Sequence, residues 1–79
     1  MIFLCDEYSV NILWDEEVSV WIATSDDVHG LVLEDESFDN LIRRVRLAVP
    51  ELLAFEKPVE DDISLDLVVH RKERLVVSG

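Results

Sequence analysis

One amphipathic stretch constrains this chain more than any other feature. Phe38, Leu41, Ile42, Val45, Val49, Leu52 and Leu53 recur at i, i+3, i+4 spacing, the repeat of a helix that buries one stripe. Ser37 is the candidate N-cap, and Glu34, Asp35 and Glu36 lie where the positive end of the helix dipole favours acids. Asn40 at the third helical position leaves the capping box imperfect. Arg43, Arg44 and Arg46 fall away from the stripe, to be solvated or to pair with the acidic half of the same or a second chain. Pro50 cannot donate to the carbonyl of Arg46, so the helix either kinks or ends and restarts there. A kink, with helix to about Phe55, is the expectation.

Around this helix the apolar period changes to two. Val10, Ile12 and Trp14 alternate with Ser9 and Asn11, which predicts a strand over Tyr8 to Trp14. After the polar break Asp15-Glu16-Glu17, the β-branched and aromatic run Val18 to Thr24 predicts a second strand paired with the first as a hairpin. Ser25 to Gly30 is a further break in which Gly30 can supply a positive φ, and Leu31-Val32-Leu33 is a short third strand. Lys57 to Asp62 reads as linker, and Leu65, Leu67 and Val69 alternate as a fourth strand. Arg71 to Arg74 can turn the chain and leave Leu75-Val76-Val77 as a short extra strand or an ordered tail.

This order predicts an α+β fold: a three-stranded antiparallel meander, one helix, and a fourth strand parallel to strand one and beside it. The right-handed rule for the crossover places the helix on one face of a single sheet. The 79 residues, 49% hydrophobic, make one domain over 1–79. Such a domain buries only roughly 60 to 65% of its unfolded surface. Leu13, Trp21, Ala23 and Val68 have the parity of the face opposite the helix, and they are not the residues a solvated face uses. They are the expected interface of a homo-oligomer, a dimer or larger.

Charge is distributed as unevenly as hydrophobicity. The net charge of -11 arises within the first 42 residues, which carry acids and no Lys or Arg, and the remainder is neutral. A one-sided acidic field repels phosphates and attracts basic proteins over a Debye length of about 8 to 10 Å. Read as a binding device, it makes the turn acids Glu16, Glu17, Asp26 and Asp27 candidate contacts for a basic partner; read as a solubility device, it has no partner. No apolar run approaches the roughly 20 residues that span a bilayer, and an acidic surface suits anionic lipid poorly, so no membrane role is expected. The start, Met1 to Cys5, lacks the basic n-region and apolar length of a signal peptide, and the single Cys5 cannot form an intrachain disulfide. The expected location is cytoplasmic.

Residues that carry chemistry are sparse. His29 and His70 have no Cys or His at ligand spacing, and Glu34-Asp35-Glu36 matches no calcium loop, so neither metal nor cofactor is expected. Cys5 and Ser9 lack a neighbouring base in sequence, Gly30 is isolated, and no basic stripe is interleaved with aromatics. Trp14 and Trp21 read as core or interface anchors rather than stacking platforms for nucleic acid. The chain is not expected to be an enzyme.

The segment from Trp14 through Leu31, continuing from Ser37 to Leu53, resembles a small bacterial domain family of unknown function related to the N-terminal domain of HicB antitoxins. The pattern is a strand ending in acids (Trp14 to Glu17), an aromatic-x-Ala strand (Trp21, Ala23), an Asp-x-x-Gly turn (Asp27, Gly30) and a capped helix (Ser37 to Leu41). The resemblance covers about half the chain and implies a partial RNase H-like fold without nuclease activity, one that binds and masks a small basic RNA-cleaving toxin. The chain departs from that pattern in two ways: His29 stands where the turn usually has Pro, and no helix-turn-helix or ribbon-helix-helix domain is expected after Gly79. Autoregulation by DNA binding is therefore not expected. Paired catalytic carboxylates for two-metal chemistry would project from strand interiors, whereas Asp15, Glu16, Asp26 and Asp27 occupy turns. The expected function is a non-catalytic binding module resembling a HicB-type antitoxin, with a HicA-like toxin as partner. The alternative is a stand-alone homo-oligomer that binds a small molecule or lacks a toxin partner.

Overall fold

The computed structural model describes residues 6–56, 58 and 62–78. Cys5 and most of the expected linker, Lys57 and Val59 to Asp61, lie outside the described residues. The elements are β1 (Asp6–Asp15), β2 (Val20–Thr24), β3 (Val32–Asp35), α1 (Phe38–Ala54) and β4 (Ile63–His70). They form the expected α+β fold, one four-stranded sheet in the order β3-β2-β1-β4. β1 pairs antiparallel with β2, β2 antiparallel with β3, and β4 parallel with β1.

The helix forms where its apolar period places it and buries Leu41, Ile42, Val45, Val49 and Leu53. Ser37 is its N-cap, with extended backbone and an Oγ that accepts the Asn40 N–H at 3.2 Å. The helix continues through Pro50 for one more turn and closes on Phe55, whose N–H donates to Leu52 O at 3.3 Å. Glu56 N–H donates to Leu53 O at 3.0 Å, and this tight last turn satisfies carbonyls that would otherwise be orphaned.

Under α1, the sheet contributes Tyr8, Val10 and Ile12 from β1 and Trp21 and Ala23 from β2, all buried. The β2–β3 loop closes one end of the core, because Val28 and Leu31 are buried although neither lies in a strand. Leu31 N–H donates to Val28 O at 3.2 Å, and Gly30, at φ +83°, makes the turn between them. This plug shifts the third strand from Leu31–Leu33 to Val32–Asp35.

Two expectations are corrected. Trp21 and Ala23 do not belong to an outer interface. Trp21 pairs directly opposite Trp14, and Ala23 opposite Ile12, so all four share the face that α1 covers. Cross-strand register sets the face, and the small Ala23, with no exposed surface, lets the helix approach β2 closely. Of the four residues assigned to the outer face, Leu13 and Val68 do lie there: Leu13 is 51% exposed and Val68 half-buried. The second correction concerns Val18 and Ser19, which are turn rather than strand. Ser19 adopts φ 56°, which ends extended pairing on that side of Val20.

Residues 71–78 are in no regular element and all are exposed. The molecule is accordingly long, 59 × 27 × 19 Å, with a radius of gyration of 15.5 Å where a compact domain of this length has about 12 Å.

Candidate functional site

The residues singled out as acidic contacts occupy two separate places. Glu16 and Glu17 are exposed in the β1–β2 turn, where Asp15 Oδ1 accepts the Glu17 N–H at 3.0 Å. Asp26 and Asp27 are exposed at the other end of the same ladder. The stretch of β1 from Ser9 to Asp15 separates the two pairs by about 20 Å at the usual rise of a strand, so they do not form one patch.

Asp27 has local work instead. Its Oδ2 accepts the Ser9 N–H at 2.7 Å. Beside it, Ser25 Oγ donates to Ser9 O at 2.6 Å and accepts the N–H groups of Asp27 and Val28, each at 3.0 Å. The loop is thereby pinned to β1 at one polar centre of side-chain-to-backbone bonds, which satisfies backbone groups that the ladder leaves open.

The Glu16–Glu17 end of the ladder carries an aromatic cluster. Trp14 and Trp21 face each other with ring centroids 5.1 Å apart, and Phe38, the first residue of α1, meets Trp21 edge-on at 4.9 Å. Trp21 is buried, while Trp14 and Phe38 are half-buried and accessible. Above Trp14 sits the Arg71 guanidinium, 4.8 Å from the ring centroid and 5.6 Å from that of Trp21. The parallel register explains the contact: Leu13 pairs with His70, so the next residues along, Trp14 and Arg71, are neighbours. A shallow depression of about 610 Å³ opens beside Trp14, bordered by Glu16, Lys72, Glu73 and Arg74.

A polar cluster ties the helix start to this end of the sheet. Asp35 Oδ1 accepts the Ser37 N–H at 2.8 Å, and Oδ2 accepts from the Asn40 side-chain amide. Arg44 donates to Oδ2 at 3.3 Å and to Glu34 O at 2.7 Å. The Ser37 N–H first, then the Asn40 amide and the Arg44 guanidinium, hold the Asp35 carboxyl below the usual carboxylate range, partly opposed by burial. Arg44 therefore pairs within its own chain, whereas Arg43 and Arg46 make no ion pair among the described residues.

His29 and His70 are exposed, and no group of His, Cys, Asp and Glu among the described residues could hold a metal ion. No helix among the described residues is long and apolar enough to cross a membrane. The aromatic cluster is the part of the site that sequence reasoning left incomplete. Trp14 and Trp21 were legible as anchors, but Phe38 appears only as a helix-stripe residue, and the position of Arg71 follows from a parallel register that no local motif encodes.

The fold has a solved counterpart in the crystal structure of hypothetical protein TTHA1013 from the extremely thermophilic bacterium Thermus thermophilus. It is 37% identical, matches with a TM-score of 0.64, and the likeness covers 90% of this chain and 99% of that one. No curated protein matches the chain. The family model described as a domain of unknown function, DUF1902, matches residues 7–78, and the chain belongs to that family.

Proposed function

We propose that this domain is a non-catalytic binding module that recognises a small basic protein through the Trp14 end of its sheet. The observation that carries the reading is Arg71 over Trp14: an arginine already rests on the accessible indole, 4.8 Å from its centroid, next to Glu16. Indole faces and carboxylates together suit guanidinium groups, and aromatic anchors with charged rims are the usual composition of a binding hot spot. The acidic first half of the chain would supply long-range attraction. Within the resemblance to HicB antitoxins, the partner would be a HicA-like RNA-cleaving toxin, and masking it would be the activity.

Calorimetric titration with a small basic HicA-like protein tests the proposal. Submicromolar binding that weakens at least about tenfold in Trp14→Ala, with inhibition of the partner's RNA cleavage, is the expected result. Absence of binding, or binding indifferent to Trp14, overturns it.

A further inference from the structure

We infer that the C-terminal arm of one copy adds as a strand to the open β4 edge of a second copy, in a reciprocal exchange that makes a dimer. Three independent features meet here. β4 is an edge strand of eight residues whose outer side has no partner among the described residues. It contains no Lys and no Pro, the residues that usually protect such an edge from pairing. Its apolar face is also incompletely roofed, because α1 leans over β2 and β3 and away from β4. Leu65 and Leu67 are half-buried and Val69 is 45% exposed, and Leu67 borders a groove whose helix side is lined by Phe38 and Ile42 with Asp39, Arg43 and Arg46 at its rim.

The arm has the complementary character. Leu75, Val76 and Val77 are 81%, 83% and 86% exposed, an apolar run that a single copy leaves in water. Before them stand Arg71, Lys72 and Arg74 against one acid, Glu73, so the arm is basic, and the one charged residue of the strand it would meet is an acid, Asp66. Folding back onto its own β4 edge would need a tight hairpin. Residues 71–74, expected from sequence to be able to turn the chain, have no Gly or Asn for a two-residue hairpin loop and are in no turn in the structure. The arm is instead exposed throughout residues 71–78 and in no regular element.

An antiparallel pairing about a two-fold axis at His70 aligns the two features. It sets Leu75 opposite the partner's Leu65, Val77 opposite the partner's Ile63, and Arg74 opposite the partner's Asp66. Ile63, Leu65, Leu67 and Val69 share the helix-side face with Ile12 and Val10. Alternation along a continuous ribbon puts Leu75 and Val77 on that same face. The aliphatic side chains then extend the apolar stripe that α1 leaves open. Arg74 and Asp66 meet on the other face, twice per dimer.

Sedimentation velocity of the full chain, from about 1 to 200 µM, tests the exchange. The expected result is a concentration-dependent dimer that Leu75→Asp with Val77→Asp converts to monomer. Asp66→Arg and Arg74→Asp each weaken the dimer about tenfold, because either one creates two like-charge pairs, and the double variant restores it. All four positions are exposed, so circular dichroism and melting of the monomer should be unchanged. A wild-type chain that stays monomeric across the range overturns the inference. So does a dimer whose dissociation constant is unaffected by Leu75→Asp with Val77→Asp.

Discussion

Arg71 rests its guanidinium 4.8 Å above the ring of Trp14, although 57 positions separate them in sequence. The parallel pairing of β1 with β4 brings them side by side, and the hairpin pairing of β1 with β2 adds Trp21 beneath. One end of the sheet thus gathers two indoles, a phenyl ring and a cation from distant parts of the chain.

The two tryptophans differ in what they support. Trp21 is 9% exposed and touches both Trp14 and Phe38. Trp21→Ala should cost about 3–5 kcal/mol, much of the total for a domain whose stability is about 4–12 kcal/mol at usual values per residue. Trp21→Asp should unfold the chain. Half-buried Trp14 should lose only about 1–2 kcal/mol on truncation to Ala. Urea titration followed by circular dichroism checks the order; equal losses would contradict the packing.

Asp35 links acidity to stability. Its folded pKa lies below the usual carboxylate range, so its stabilising contribution is fully present above the unfolded value and is lost as pH falls through the folded one. Asp35→Asn should therefore lower the melting temperature at neutral pH. The gap between variant and wild type should stay constant down to about pH 5 and close progressively below about pH 4. A gap independent of pH would mean that the charge on Asp35 is immaterial.

Two turns have left-handed residues of opposite fitness. Gly30 at φ +83° has its nearest foreign atom, Leu52 Cδ2, at 3.8 Å from an added Cβ. Gly30→Ala should thus cost about 1–2 kcal/mol from backbone strain alone, without a clash. Ser19 at φ 56° already bears such strain, and Ser19→Gly should stabilise by a few tenths to about 1 kcal/mol. Thermal melts of the pair should shift in opposite directions.

The acids at the two ends of the β1–β2 ladder should separate functionally. Glu16→Gln with Glu17→Gln should slow association with a basic partner and flatten its salt dependence, with little change in dissociation or stability. Asp27→Asn should instead cost about 1.5 kcal/mol, because it weakens the charge-assisted bond from Ser9 N–H. Stopped-flow mixing from low to high salt, beside melts of each variant, distinguishes the two roles; identical behaviour of the Glu16–Glu17 and Asp27 variants would refute the division.

Much of the architecture is local information. The helix over Phe38–Ala54, its Ser37 cap and the strand order follow from apolar spacing and from the turn residues between elements, since each depends on neighbours within a few positions. The parallel placement of the last strand follows from chain connectivity and handedness. What tertiary structure alone decided is which face each strand residue meets. Trp21 and Ala23 turned inward because Trp14 and Ile12 stand opposite them, and register is a relation between distant segments that no single strand's alternation contains. The same holds for the four turn acids, close in composition yet held at two ends of a ladder, and for the Arg71–Trp14 contact. Periodicity is written along the chain, whereas juxtaposition arises only when the strands pair.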